Sequence, residues 1–377
     1  MTMQSSAKSS AVTDKPAVSR IGIVTAGGDC PGLNAVIRSV YKTATGQFGM
    51  EVVGIEDGFA GALQNRMELL GSQHVRGILP RGGTVLGSSN RDDPFRVATV
   101  VNGAKTYEDR SDLVLENFKG RGIEALIAVG GDGTLSIANK LALKGLKVVA
   151  IPKTIDNDLE ATDVTFGFDS ALRVATGAAD SLHTTAESHH RVMVLEVMGR
   201  YAGWIALGAG LAGGADLILI PEIPFRLEKV YEHVRDRIAS GKKFSIVVVG
   251  EGAKPLGGRE VVQRRIEDST DPVRLGGIGY WLSDQIEHHV QIETRVTVLG
   301  HLQRSGSPSP FDRILGIRFG VEAVELAAAG DFGRMVSLRG VDIVSVPLSD
   351  AVRQTRNVDP QGALVHAARA VGACFGD

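Results

Sequence analysis

The sequence is poor in the features that mark several classes of protein. It has two cysteines in 377 residues, Cys30 and Cys374, which lie almost a whole chain apart and fit no metal-ligand spacing. This scarcity argues against a disulfide framework and favours a reducing, cytoplasmic location. No apolar run approaches the ~20 residues of a membrane-spanning helix. Residues 1–19 are polar and serine-rich, without the apolar segment of a secretion signal, and they predict a disordered tail.

Net charge and aromatic residues are also limited. The formal net charge is −2, and aromatic residues make up 5% of the chain. A nearly neutral chain has no overall field to recruit nucleic acid or an anionic membrane, so any anion site must be local. Glycine is abundant instead, with 47 residues. So many glycines indicate tight turns or places where the backbone closely approaches a ligand.

Short β-branched runs alternate with helical patterns through most of the chain. The runs that predict buried strands lie at 21–25, 51–55, 125–129, 147–151, 191–197, 217–221, 244–250 and 295–300. Helical patterns such as those at 134–145 and 227–241 lie between them. Continuous apolar strands separated by helices indicate parallel sheets covered on both faces. The fold class is therefore α/β, and the length of the chain predicts two such domains.

Two glycine-rich turns are suited to phosphate. Gly27 and Gly28 follow the first predicted strand, so that backbone N–H groups and a helix dipole would face an anion. In the second turn, "GGDGT" at 130–134, glycines surround Asp132. That carboxylate can hold Mg²⁺ beside a phosphate, although an aspartate at this place can also simply cap the helix. Neither turn has the GxGxxG or GxxxxGK[ST] pattern, which argues against an NAD site and a P-loop.

A third turn carries most of the charge. "PKTIDND" at 152–158 follows a predicted strand, and open α/β sheets bind ligands at such strand ends. Asp156 and Asp158 would point to the same side of an extended segment, which suits a general base beside a metal or an orienting group. Lys153 is placed to meet a phosphate, and Thr154 offers a hydroxyl. On its own, this segment would favour a solvated polar loop with an Asx turn.

Basic residues follow later strands. Arg191 and Arg200 lie at the two ends of one segment, and Arg295, His301 and Arg304 lie in another. Arginine side chains match phosphate oxygens in two-point contacts. Surface ion pairs and a structural histidine are the alternatives that these residues alone leave open.

Five segments of the chain occur in the order seen in one enzyme family. They are "GGDCPGLNAVIR", "GGDGT", "PKTIDND", "MGRYAGW" and "LGHLQRSGSP". From about residue 20 to about residue 345 the sequence resembles the 6-phosphofructokinases. This resemblance implies two Rossmann-like three-layer α/β domains with mostly parallel sheets and an active-site cleft between them. It implies a phosphoryl-donor domain at 20–165 plus 300–345, a sugar-phosphate domain at 166–299 and a C-terminal extension at 346–377.

The resemblance also implies an activity, the Mg²⁺-dependent transfer of a phosphoryl group from ATP to the 1-hydroxyl of fructose 6-phosphate in glycolysis. Asp156 then corresponds to the general base, Asp158 supports the metal and the charge balance, and Thr154 binds the transferring group. Asp132 corresponds to the Mg²⁺ residue, and Arg200 completes the catalytic set. The donor-binding positions are Gly28, Arg91, Gly131, Asp132, Gly133 and Thr134. The sugar-phosphate positions are Thr154, Ile155, Asp156, Arg191, Met198, Gly199, Arg200, Glu251, Arg295, His301 and Arg304.

The same resemblance bears on assembly. In the family, the equivalents of Arg191 and Arg295 reach into the site from a neighbouring subunit. We therefore expect a homo-oligomer, a dimer or a tetramer, whose active sites are shared between subunits. A lone monomer would then be inactive.

Two residues bear on the phosphoryl donor. Family members that use ATP have a glycine after "GGD", as here in Gly133, where pyrophosphate users typically have aspartate. Lys153, however, precedes "TIDND" as in pyrophosphate users, and the mixture resembles the mixed-substrate branch. We expect ATP, because an aspartate would exclude the nucleotide whereas a lysine need only add a phosphate contact.

Other functions stay open as alternatives. A pyrophosphate-dependent phosphotransferase is the first, and a kinase for another sugar phosphate is the second. A non-catalytic sugar-phosphate sensor on the same fold would be expected to lack the base or the metal carboxylate, and both Asp156 and Asp132 are present.

Overall fold

The structure, a computed structural model of the chain, describes residues 15–101, 104–265 and 273–377. Its strands, in chain order, are β1 Arg20–Thr25, β2 Glu51–Ile55, β3 Met67–Leu69, β4 Val97–Val101, β5 Ala104–Glu108, β6 Ala125–Gly130, β7 Lys147–Thr154, β8 Phe166–Gly167, β9 Val192–Val197, β10 Leu217–Leu219, β11 Ser245–Gly250, β12 Val262–Arg265, β13 Val273–Leu275, β14 Thr294–Val298, β15 Arg334–Arg339 and β16 Asp342–Pro347.

Helices occupy most of the sequence between these strands. They are α1 Leu33–Gln47, α2 Phe59–Gln64, α3 Ser111–Gly120, α4 Asp132–Leu143, α5 Phe168–His189, α6 Trp204–Ala212, α7 Leu227–Ala239, α8 Ile278–Val290, α9 Pro310–Ala329, α10 Leu348–Ala351 and α11 Ala363–Ala370. A 3₁₀-helix spans Gly300–Arg304. In the described ranges, no helix combines the length and the apolar character needed to cross a membrane.

The first sheet is mostly parallel and has helices on both faces. Its strand order is β16-β15-β7-β6-β1-β2-β3, with β8 paired to β7. The central pairs are parallel, and the two outer pairs, β2 with β3 and β15 with β16, are antiparallel. Successive side chains of β6 alternate between the two faces: Ile127 and Val129 pack in one hydrophobic cluster and Leu126 and Ala128 in another. This alternation explains why the strand has no polar side, since both faces are covered.

The second sheet is smaller and fully parallel. Its order is β10-β11-β9-β14. Met193 and Leu195 of β9 belong to the large cluster that also contains residues of the first sheet, whereas Val192 and Val194 pack with α7 and α8. One apolar core therefore runs between the two sheets, and helices from both halves share it.

The α/β class predicted from the sequence is confirmed, and every strand predicted there coincides with an observed strand to within a few residues. The predicted tail at 1–19 falls partly outside the described residues. Its last residues are placed: Val18 is buried, and the Ser19 N–H donates to Glu124 Oε1 at 2.9 Å. Ala17 to Ser19 therefore contact the folded part of the chain.

Candidate active site

The first glycine-rich turn joins β1 to α1, and a lysine and an arginine hydrogen-bond its backbone. The Lys153 ammonium is buried and donates to the Gly28 carbonyl oxygen. Arg304 Nη1 also donates to this turn, at the Asp29 carbonyl, with a distance of 3.0 Å. A Cβ added to Gly28 would lie 2.7 Å from that Nη1 atom, so Gly28 is what permits the arginine to approach the turn.

The second glycine-rich turn joins β6 to α4. Gly131 is the N-cap of the helix and Asp132 its first residue, so Asp132 is not the capping residue that the sequence left as an alternative. Partial burial raises the pKa of the Asp132 carboxyl. A Cβ at Gly133 would meet no atom within 4 Å, which leaves open space at the beginning of the helix. The N–H groups and dipole of α4 favour an anion there.

A cavity lies against the first of these turns. Its volume is about 510 Å³, and it is lined by Gly27, Gly28, Asp29, Thr84, Ser88, Ser89, Asn90 and Arg91. The lining is almost entirely backbone, hydroxyl and amide groups, with one carboxylate and one guanidinium. We call the two turns and this cavity the glycine-rich side of the site. Sequence reasoning named Gly28 and Arg91 as donor-binding positions. It did not single out the hydroxyl-bearing residues Thr84, Ser88 and Ser89, which lie in the same loop as Arg91.

The third turn lies at the C-terminal end of β7, beside the other two. The Thr154 hydroxyl accepts the Asp156 N–H at 3.1 Å and hydrogen-bonds the Asp158 carboxylate. Between the two aspartates, Asn157 has a left-handed backbone with φ 54°, and its Oδ1 accepts the Thr165 N–H at 3.0 Å. Asparagine tolerates this conformation better than most residues, which accounts for its place in the motif.

The two aspartates share an electrostatic environment that favours their protonated forms. Burial raises the pKa of Asp156 against the lowering effect of Arg304, Lys153 and Arg200. Burial, and next the charge of Asp156, raises the pKa of Asp158 to about 7. Asp156 Oδ1 is buried and has no hydrogen-bond partner among the described residues. A buried acceptor without a donor is costly unless a ligand completes it.

The second sheet contributes charged groups to the same place. Burial, and next the charge of Asp156, raises the pKa of Glu251 to about 8, against the lowering effect of Arg200 and Arg304. Glu251 follows β11, and Arg200 follows β9 in the turn that begins with Met198, whose N–H donates to Gln303 Oε1 at 3.2 Å. We call Asp156, Asp158, Arg200, Glu251 and Arg304 the charged side of the site.

Four site residues predicted from the sequence do not belong to the charged side as defined here. Ile155 is fully buried, so only its backbone can face a ligand. His301 is exposed on the 3₁₀-helix, three residues from Arg304. Arg191 pairs with Glu293 at 2.5 Å, and Arg295 pairs with the same carboxylate. Arg191 precedes β9 and Arg295 is the second residue of β14. Extended chain of about 20 Å separates Arg191 from the C-terminal end of its strand, where the site lies, and about 10 Å separates Arg295 from the C-terminal end of β14.

The carboxylates fit a magnesium ion held jointly with phosphates. In the described residues no three His, Cys, Asp or Glu side chains form a metal cage. Mg²⁺, however, is usually bound through one or two carboxylates together with substrate phosphates. Asp132 is exposed and its charge raises the pKa of Asp158, so a divalent cation bound near them would offset the repulsion of their charges. The residues present therefore fit the ion.

Comparison with known proteins gives the same family throughout. The phosphofructokinase family model matches residues 20–327. The ATP-dependent 6-phosphofructokinase of Chloroflexus aurantiacus is 53% identical over 367 residues, covering 95% of this chain and 98% of that protein. The pyrophosphate–fructose 6-phosphate 1-phosphotransferase of Amycolatopsis methanolica is 51% identical, covering 91% and 97%.

A solved structure agrees with these relatives. The phosphofructokinase of Pichia pastoris has a TM-score of 0.77 and 30% identity, and the match covers 96% of this chain and 39% of the yeast chain. This chain therefore spans less than half of that larger protein. Because a family model covers most of its length and relatives of about half-identical sequence align almost from end to end, this chain belongs to the phosphofructokinase family.

Proposed function

We propose that the chain is an ATP-dependent 6-phosphofructokinase, which transfers a phosphoryl group from ATP to the 1-hydroxyl of fructose 6-phosphate and gives fructose 1,6-bisphosphate. The observation that carries the proposal is the buried, unpartnered Oδ1 of Asp156, which lies at a strand end within reach of the charges of Arg200 and Arg304. A sugar hydroxyl would supply the donor that this oxygen lacks. ATP-dependent relatives of similar sequence support the choice of reaction.

In this mechanism Asp156 accepts the proton of the sugar hydroxyl as the oxygen attacks the γ-phosphorus. A raised pKa suits a base that must accept a proton near neutral pH. Thr154 fixes the turn by accepting the Asp156 N–H, and we assign its hydroxyl to hydrogen-bonding the transferring group. The charge of Asp156, after burial, raises the pKa of Asp158 to about 7, so the two carboxylates oppose each other's ionisation.

Charge on the phosphates would be balanced from two directions. Arg200 and Arg304 lower the pKa of Asp156 electrostatically, and we assign them to balance the charge of a phosphoryl group that a hydroxyl attacks beside that carboxylate. Asp132 would hold Mg²⁺, with Asp158 supporting the charge balance, and the ion would supply positive charge to the phosphate oxygens when bound. The N–H groups at the beginning of α4 would contact the donor phosphates, with Gly131, Gly133 and Thr134 keeping the approach open.

The related enzymes differ in their phosphoryl donor, which is ATP for some and pyrophosphate for others. Sequence identity does not separate them, because the Chloroflexus and Amycolatopsis enzymes are 53% and 51% identical to this chain. Gly133 favours ATP, since the open space beside it would admit a nucleotide. As an indication of pyrophosphate use, Lys153 is weaker than the sequence suggested, because its ammonium is buried under the first turn and donates to a backbone carbonyl. Pyrophosphate stays the second candidate donor.

We further propose an assembly in which the site is completed by a second copy. Arg191 and Arg295 lie near the N-terminal ends of β9 and β14, whereas Arg200 follows the C-terminal end of β9, so we assign them to the site of a neighbouring copy rather than to that of their own chain. Their pairing with one surface carboxylate leaves them at an edge where another subunit can dock.

We also propose the domain bounds that the resemblance implies. The phosphoryl-donor domain comprises 20–165 plus 300–345, the sugar-phosphate domain 166–299 and the C-terminal extension 346–377. We propose a cytoplasmic location as well, which the two unpaired cysteines favour.

A direct assay tests the proposal. Purified protein is incubated with fructose 6-phosphate, Mg²⁺ and either ATP or pyrophosphate, and fructose 1,6-bisphosphate is measured. We expect product with ATP and a higher kcat/KM for ATP than for pyrophosphate. Product from pyrophosphate alone would overturn the donor, and absence of product with both donors would overturn the reaction.

A further inference from the structure

Residues 355–358, which we call the strap, run between the turns that the two sheets contribute to the site. On one side, Thr355 forms an antiparallel bridge with Leu159, and the Arg356 N–H donates to the Asp158 carbonyl at 2.8 Å. On the other side, Trp204 Nε1 donates to the Arg356 carbonyl at 2.9 Å. A segment from outside both catalytic motifs is therefore hydrogen-bonded to both.

The Arg356 side chain fastens the aspartate turn. Its Nη1 donates to the Asp163 carbonyl at 2.7 Å and lies 3.5 Å from the Asn157 carbonyl. The turn between these residues contains two non-glycine residues with left-handed backbone, Asn157 at φ 54° and Ala161 at φ 62°. Such conformations persist when the surroundings hold them, and the guanidinium binds carbonyls at the beginning and at the end of this turn.

The same side chain also packs on the second sheet's turn. The Arg356 guanidinium lies 4.6 Å from the centre of the Trp204 ring. Burial lowers the pKa of this guanidinium, which stays charged because its ordinary pKa is so high. Two residues on, the Val358 N–H donates to Glu222 Oε1 at 2.8 Å, and that oxygen also accepts the Gly203 N–H at 2.9 Å. Strap and turn thus share one carboxylate.

We propose that Arg356 is a positioning residue: through the strap it holds the Asp156 turn at a fixed distance from the Arg200 turn. The inference rests on the proposed function, because it assigns the purpose of the contact to phosphoryl transfer between groups on those two turns. A misplacement of reacting groups by about 1 Å can reduce a rate about 100-fold, so a brace remote from the chemistry can matter for turnover.

The test compares Arg356→Ala and Arg356→Lys with Arg353→Ala, a matched control three residues away whose guanidinium is exposed and pairs only with Asp350 among the contacts described for it. We expect Arg356→Ala to lower kcat by about 10- to 100-fold with a small change in KM for either substrate. Arg356→Lys should recover part of this loss, since it keeps a charged donor. Arg353→Ala should match the unmodified protein.

Two further measurements separate positioning from a loss of folded protein. Thermal unfolding gives the folded fraction of each variant, and low millimolar guanidinium added to Arg356→Ala should restore part of kcat by occupying the vacated place. Kinetics of Arg356→Ala within about twofold of the unmodified protein would overturn the inference, as would a loss matched by the unfolded fraction. Should Arg356→Ala fail to fold, Arg356→Lys decides: normal kcat overturns the inference and a reduced kcat at normal melting temperature supports it.

A failure of the proposed function would be recognised separately, because the unmodified protein would then form no product. In that case the role of the strap is tested by amide hydrogen exchange of residues 155–163 and by the fluorescence emission of Trp204. The fluorescence is measured in a Trp281→Phe background, which leaves Trp204 as the single tryptophan. Faster exchange together with a shifted emission in Arg356→Ala supports the brace. Unchanged exchange and emission overturn it.

Discussion

The two sides of the site are built from different parts of the chain. The glycine-rich side consists mostly of backbone and small side chains around a cavity of about 510 Å³. The charged side consists of buried carboxylates with raised pKa values, balanced by arginines. Backbone groups bind a ligand by shape and dipole, so a side chain added beside them would compete with the ligand for space, whereas buried carboxylates can change their protonation. We therefore expect substitutions on the first side to alter which donor binds and those on the second to alter the rate.

The largest effect should come from Asp156→Asn on the charged side. The amide keeps the size of the side chain but cannot accept the hydroxyl proton, so kcat should fall by about 10²–10⁴-fold while fructose 6-phosphate still binds. Steady-state kinetics together with calorimetric titration of the sugar phosphate would measure both quantities. Near-normal turnover would remove Asp156 as the base.

Gly133→Asp should produce the next largest effect, on the glycine-rich side. The open space at this position accommodates the side chain without a clash, so any loss reflects charge and occupied volume. Repulsion between the carboxylate and the nucleotide phosphates should raise KM for ATP at least about tenfold. Kinetics with pyrophosphate serve as the control, since they should change less. Intact ATP kinetics would contradict our assignment of the donor.

The sequence predicted the elements that depend on local pattern. Apolar runs located the central strands of both sheets, such as β6, β9 and β11, because these strands are buried along their whole length. They did not locate the outer strands β3 and β16, which are largely exposed or half-buried. Glycine turns located the donor side because they follow strand ends. The buried position of Lys153 could not be predicted in this way, since a lysine next to a phosphate-binding motif suggests a phosphate contact. Its ammonium points under a turn 125 residues away, a contact set by tertiary packing. The contacts of Arg356 could not be predicted for the same reason, because its partners lie in segments far away along the chain.

A smaller effect should follow from Asp158→Asn, which changes the pH dependence of the charged side. The charges of Asp156 and Asp158 repel each other, so the substitution makes Asp156 easier to deprotonate. Because the base must be deprotonated to act, the acid limb of kcat/KM should shift to lower pH, by about one unit. The pH profile of the unmodified protein is the reference. An unchanged or upward-shifted limb would mean that the two carboxylates are not coupled.

The smallest effect, and the one that best separates the two sides, is expected for Lys153→Met. This lysine belongs to both, because it supports the Gly28 carbonyl and its charge lowers the pKa of Asp156. Methionine keeps most of the volume and removes the charge, so the pKa of Asp156 should rise and the acid limb should move to higher pH, opposite to Asp158→Asn. If the ammonium mainly supports the turn, KM for ATP rises and the limb stays in place. The direction of the shift therefore decides whether this residue acts through the carboxylate or through the glycine turn.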